Sequence, residues 1–374
     1  MVSRRPILVF PTMAVVLASA CADEVAGPAR VPTRPHAEVS PSTITPVMSG
    51  LDSPRGLAFG PEGGLYVAEA GTTQLGGACG PYLEGAQLAT KCWSGSGSIS
   101  RLWRGRQERI ATGLPSTFVV ESGLASGPQD ISITGRGHAL VALGWGGPPQ
   151  LRDVLGGDAT DAGTIIQLEP SGVWRVVADI AAFEADNNPA GGPVDSNPYG
   201  VLAEPGRTFV VDAGGNSVLE VAANGRVSLV ATFPRIAAPP PFNSTDAVPT
   251  RVRRGPDGAL YVSTLSGAPF AIGSAAIYVV RPGQPPVVYA GGFKTITDFA
   301  FASDGGLYVL QYATGPVFFS GPGALIRVAP DGTRSTITTA LSQPTGLAIA
   351  GDGSVYVSNR GGSSAIGEVL RITP

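Results

Sequence analysis

The sequence predicts an all-β fold: a six-bladed β-propeller made of four-stranded antiparallel blades. Three observations carry that expectation. First, LDSPRGLAFGPEGGLYVAEAG at 51–71 returns without a gap as LSQPTGLAIAGDGSVYVSNRG at 341–361. Four more copies lie between them: GPQDISITGRGHALVAL (127–143), NPYGVLAEPGRTFVVDA (197–213), VPTRVRRGPDGALYVST (248–264) and ITDFAFASDGGLYVLQ (296–311). Second, each copy is followed by two further strand-like runs, such as SVLEVAANGRVSLVATF (217–233) and ALIRVAPDGTRSTITTAL (324–341). The unit is therefore a four-stranded meander with a period of about 50 residues. Third, no long stretch has 3.6-residue periodicity, while 52 Gly and 34 Pro punctuate short apolar runs at regular intervals.

The N-terminal segment stands apart from this pattern. Arg4 and Arg5 precede an apolar run from Ile7 to Ala20, interrupted by Pro6 and Pro11 around its start and too short to span a bilayer. It ends in LASAC (17–21), which resembles a bacterial lipobox, although Ala18 stands where a large aliphatic is usual and Leu17 is one place early. Two readings follow: lipidation at Cys21, or an ordinary signal peptide cut near Ala20. Either way the expectation is export, to the bacterial cell envelope as a lipoprotein or into the medium. Residues 22–43 are polar and proline-rich without apolar periodicity, and are expected to form a disordered tether. The folded domain is expected over 44–374, touching a membrane only through the lipid anchor.

Within that domain the last unit is one strand short. After Leu341 there is room for GLAIA, SVYVS and EVLRIT only. ITPVMSGL (44–51) resembles the fourth strands ERIATGL (108–114) and RSTITTAL (334–341), so the N-terminal strand is expected to join the C-terminal blade and close the ring. The repeated sentence is then the inner hairpin of neighbouring blades.

Calling the strands of a blade A to D from the axis outward, the A–B turns (GPEGG, EPGR, GPDGA, GDGS) and the C–D turns (AANGR, APDGT) are tight. All long loops fall in the other class: 71–95, 144–163, 264–275 and 312–322 join B to C, and 115–127, 181–197 and 234–248 join D to the next A. Long loops gathered at one end of a rigid scaffold are where binding usually resides. Aligned copies put Glu69, Leu143, Asp212, Thr264, Gln311 and Asn359 at the end of strand B, and Gly56, Asp130, Gly200, Arg251, Asp298 and Gly346 just inside strand A. The polar members (Glu69, Asp130, Asp212, Arg251, Asp298, Gln311 and Asn359) are the candidate ligand-binding ring of the axial mouth. Among them, Glu69, Asp130 and Asp212 are candidate ligands for Ca²⁺ or another divalent cation, which takes oxygen donors. The competing reading is structural: such groups also satisfy loop amides and channel water. The acidic run EADNNPAGGPVDSNPYG (184–200) lies on the same face, and its Asn and Asp next to Pro and Gly equally suit turn formation.

Composition narrows the function classes. Charged residues are 14% of the chain and the net charge is −3, which leaves no basic surface for nucleic acid. Of the two histidines, His36 lies in the tether and His138 in an A–B turn, so a His-based triad at the long-loop mouth is excluded by inventory. Cys79 and Cys92 share the first B–C loop and, in an exported chain, should form a disulfide.

The combination of SPRGLAFGPEGGLYVAEAG, the paired cysteines, GPQDISI, GGPVDSNPYG with VVDAGGNSVLEV, AVPTRVRRGPDGALYVSTLSGAPF and QPTGLAIAGDGSVYVSNRG with GEVLRI resembles the ScyD/ScyE family of exported NHL-like propellers over about 44–374. That resemblance implies fold and export but carries no activity. Two functions stay open. One is a monomeric, non-catalytic module that binds a small molecule or envelope partner through the long-loop face, with Trp145, Tyr199 or Phe270 as aromatic anchors. The other is a metal-dependent hydrolase, lactonase-like or strictosidine-synthase-like, that uses an acidic mouth.

Overall fold

The computed structural model describes residues 37–38, 42–84, 87–135 and 138–373. The leader 1–21 with Cys21, and the tether apart from Ala37–Glu38 and its last two residues, lie outside the described residues. Six sheets of four antiparallel strands surround an axis. Blade 1 comprises Pro54–Phe59, Leu65–Glu69, Gly97–Trp103 and Arg106–Leu114; blade 2 comprises Pro128–Thr134, His138–Leu143, Thr164–Leu168 and Trp174–Asp179. Blade 3 is Pro198–Glu204, Arg207–Asp212, Ser217–Ala222 and Val227–Thr232, and blade 4 is Pro249–Arg254, Leu260–Thr264, Ala275–Val280 and Val287–Phe293. Blade 5 holds Ile296–Phe301, Leu307–Gln311, Gly323–Val328 and Arg334–Leu341.

Blade 6 closes the ring as the sequence predicts. Gly346–Ile349, Val355–Asn359 and Gly367–Thr373 supply its inner three strands, and Thr43–Leu51 is the outer one. It pairs antiparallel with Gly367–Thr373, from Thr43 opposite Thr373 to Leu51 opposite Gly367. The short Ala37–Glu38 pairs in parallel with Ser335 and Thr336 on the outer edge of blade 5.

The core is divided into layers between neighbouring blades. Phe209, Val211 and Val218 of blade 3 pack on Val252, Val262 and Tyr278 of blade 4. Similar clusters join blades 1 and 2, 2 and 3, 4 and 5, 5 and 6, and 6 and 1. Both faces of each inner strand are therefore apolar, which explains why Leu65–Glu69 and Leu307–Gln311 are buried throughout without polar alternation.

The long loops of blade 1 add a feature absent from the repeat. Cys79–Glu84, Gln87–Trp93, Thr117–Val119 and Ala125–Ser126 form a separate four-stranded sheet drawn from both the B–C loop and the connection to blade 2. Cys79 and Cys92 sit opposite each other in its hairpin and are joined by the predicted disulfide. Trp145 is wholly buried against this sheet and its surrounding loops, packed with Tyr82, Trp93, Val119 and Leu151. It is therefore a core residue rather than the exposed anchor the sequence suggested.

Candidate functional site at the axial mouth

Strand A lines the axis, and at one level its six side chains alternate in kind: Gly56, Asp130, Gly200, Arg251, Asp298 and Gly346. The inner strands converge too closely for six full side chains. A Cβ on Gly56 would overlap the Asp130 carboxylate, one on Gly200 would lie 2.6 Å from the Thr250 carbonyl, and one on Gly346 would strike the backbone at Arg55. The three glycines thus make room for three charged groups, which neutralise one another. Arg251 is ion-paired through Nη1 to Asp130 and through Nη2 to Asp298, and Arg253 Nη2 adds a 3.2 Å contact to Asp298. Burial pulls the Arg251 guanidinium down, and the two carboxylates more than offset it, so it is held firmly protonated. Each aspartate also reaches the next blade: Asp130 Oδ2 accepts the Val201 amide at 2.9 Å, and Asp298 Oδ2 the Leu347 amide at 2.7 Å. This cluster forms the floor of the mouth.

The strand B residues serve a different purpose. Glu69, Asp212, Gln311 and Asn359 each accept the backbone amide of the connection leading into their own blade. The donors are Asp52 (2.6 Å), Asn197 (2.6 Å), Lys294 (2.8 Å) and Ser342 (2.8 Å). Glu69 also takes Ser100 Oγ at 2.6 Å and Arg109 Nη2 at 2.8 Å, and Asp212 takes Ser196 Oγ at 2.7 Å. Thr264 bonds the Ala276 backbone through its hydroxyl. These side chains brace loops inside the blades and do not point as a ring into the channel.

The candidate cation ligands Glu69, Asp130 and Asp212 are therefore not brought together: one is bound to Arg109, one to Arg251 and one to amides. Among the described residues, no group of three or more His, Cys, Asp or Glu is placed to hold a metal ion. The residues do not fit the expected Ca²⁺ site.

A carboxyl cluster that the ring alignment missed lies nearby. Glu184, on the short helix Ile180–Asn187, is 1% exposed, and its Oε2 lies 2.7 Å from where a Gly215 Cβ would stand, with Asp212 Oδ2 at 3.1 Å. Loss of solvation, then the charges of Asp212 and Asp195, push the Glu184 carboxyl up to about 7. Burial, partly offset by the amides of Asn197 and Gly215, pushes Asp212 up to about 6. The signal was present in the acidic run 184–200, but only the tertiary fold shows which of its carboxylates are buried.

The long loops carry an aromatic cluster beside the mouth. Tyr312 meets Phe319 edge-on at 5.3 Å, Phe319 lies 4.1 Å from Phe270, and Phe270 lies 6.0 Å from Phe318. Phe318, Phe319, Val317 and Ile272 are exposed. Phe270 and Phe318 hold left-handed backbone conformations (φ 56° and 42°), which cost energy for a bulky residue and tend to persist where function needs them. A groove of about 800 Å³ between His138, Arg175, Arg207 and Asn224 opens among the tight turns of the opposite face.

No protein-family model matches this chain, and no curated protein does. Solved structures do match in fold. A calcium-binding regucalcin from Agrobacterium tumefaciens superposes with a TM-score of 0.51 at 14% identity, covering 90% of this chain and 96% of its own. A luciferin-regenerating enzyme gives 0.51 at 12% identity over 89% and 95%, and a glucose dehydrogenase 0.51 at 14% over 89% and 99%. Likeness at this identity establishes the β-propeller fold that the six blades display.

Proposed function

We propose that this chain is an exported propeller of ScyD/ScyE type, held at the bacterial envelope by lipid at Cys21, that binds an organic ligand or partner through its long-loop face. The observation that carries the binding role is the aromatic cluster in which exposed Phe318 and Phe319 pack with half-buried Phe270 and Tyr312. Exposed apolar side chains gathered next to a rigid mouth are uncommon unless something covers them, and aromatic rings supply contact area with few torsions to immobilise. The alternative, cation-assisted hydrolysis, would need Glu69, Asp130 and Asp212 to share an ion. Their oxygens are engaged by Arg109, Arg251 and backbone amides instead.

The test has two arms. The neutral dye 6-propionyl-2-dimethylaminonaphthalene should bind the intact chain with a blue-shifted emission, and Phe318→Ser with Phe319→Ser should weaken it roughly ten-fold or more, the loss expected when two buried rings are removed. Labelled palmitate should enter the chain in a bacterial host and be lost in Cys21→Ser. Unchanged dye binding in the double variant would sink the binding face, and unlabelled protein would sink the anchor.

A further inference from the structure

We propose that the axial mouth is a binding site for a small monovalent organic carboxylate, received by Arg55 together with the hydroxyls of Tyr199 and Tyr312. The inference rests on the long-loop face being the binding face and names the ligand class that face would take.

The position one place before the axial ring shows why. In blades 4, 5 and 6 it holds Thr250, Thr297 and Thr345, and each hydroxyl is spent on the carbonyl of the next blade: Ile296 at 2.9 Å, Pro344 at 3.0 Å and Pro54 at 2.7 Å. That is a repeated staple between blades. In blades 1, 2 and 3 the same position holds Arg55, Gln129 and Tyr199, which are larger and make no such bond. The staple has been given up there, and three polar groups stand in its place with capacity to spare.

Arg55 is 8% exposed. Its Nη1 donates to the Gly361 carbonyl at 2.8 Å and its Nη2 to the Ala125 carbonyl at 2.7 Å, while Nε has no partner. No carboxylate of the described residues forms a salt bridge with it. The floor beneath is already balanced, because Asp130 and Asp298 are matched by Arg251 and Arg253. Arg55 therefore stands at the mouth with no ion-pair partner among the described residues. A buried guanidinium without a counter-ion is costly, and an incoming anion would relieve that cost.

Tyr199 and Tyr312 come from blades 3 and 5 and lie within electrostatic reach of Arg55. Burial holds both phenols above their ordinary range against the pull of that cation. They remain protonated donors, and no hydrogen bond to the protein occupies either hydroxyl among the described residues. Gln129 Oε1 is also buried without a partner. One cation without an ion-pair partner, over a neutral floor, suits a monoanion better than a phosphate dianion. The Tyr312 ring continues into Phe319 and Phe270, so the body attached to the carboxylate should be apolar.

The experiment is calorimetric titration of the full chain with 2-naphthoate and with its neutral counterpart 2-naphthamide. The wild type should bind 2-naphthoate at least ten-fold more tightly. Arg55→Gln should bring the ratio near one, Tyr199→Phe and Tyr312→Phe should each reduce it several-fold, and Phe318→Ser with Phe319→Ser should weaken both probes alike. Equal affinities in the wild type, or a preference that survives Arg55→Gln, would overturn the proposal. The wild-type comparison and the two Tyr→Phe variants decide the matter even if Arg55→Gln does not fold. Equal binding of both probes that is lost in the Phe variant would reject the carboxylate and leave the aromatic face standing; binding of neither would remove both.

Discussion

Glu184 shows how much a single side chain depends on its surroundings. In sequence it is one acid among several in a turn-rich loop. In the fold its carboxyl is buried beside Asp212 with Asp195 nearby, and the positive charge of Lys91 acts on Asp195 in turn. Raised from 4.5 to about 7, with Asp212 raised from 3.8 to about 6, these groups hold more protons in the folded chain than in the unfolded one. Stability is then fully present below the unfolded values and falls as pH rises through the folded ones. The melting midpoint should therefore drop between pH 5 and pH 8, and Glu184→Gln should flatten the drop, with a gain on the order of 2 kcal/mol at the alkaline end. A midpoint that rises over this window, or a slope unchanged in the variant, would contradict the assignment.

At the scale of elements, the sheet grafted onto blade 1 is the departure from the repeat. The glycines and small polar residues of 71–95 give it little core of its own beyond Tyr82, Trp93 and the Trp145 contact. The bond between Cys79 and Cys92 closes its hairpin and is worth about 3 kcal/mol in the loop-entropy estimate. Each blade has its own ladder and its own layer of core, so that loss should stay local. In Cys79→Ala with Cys92→Ala, amide exchange should quicken across 79–93 and 117–126 while blades 3 to 6 keep their protection. Uniform loss of protection would show that the added sheet supports the whole ring.

Across the whole molecule, the ion cluster Asp130–Arg251–Asp298 ties together blades that are far apart in sequence. It spans the axis from blade 2 to blades 4 and 5, and through amide contacts it reaches blades 3 and 6. Arg251→Ala should cost about 3–5 kcal/mol, since it strands two buried carboxylates. Combining Asp130→Asn with Arg251→Met should recover most of that loss, because it removes one charge of each sign and leaves Asp298 paired with Arg253. A melting midpoint for Arg251→Ala within a degree or two of wild type would show that the cluster contributes little.

The sequence by itself determined the architecture, for a local reason: turn chemistry and strand length recur in register with the chain, so six copies and a missing fourth strand specify six blades and their closure by Thr43–Leu51. It also placed the long loops on one face and brought Cys79 to Cys92. Alignment of the copies found Asp130, Arg251 and Asp298 as axial residues. What it left undecided was where each side chain spends its bonds. Glu69, Asp212, Gln311 and Asn359 read as a polar ring, yet each is satisfied by an amide of the connection into its own blade. Arg55 lies outside that aligned ring, yet it is buried with only the Gly361 and Ala125 carbonyls as partners. Neighbours across the axis are separated by scores of residues along the chain, so burial and charge balance there arise only when the ring is closed.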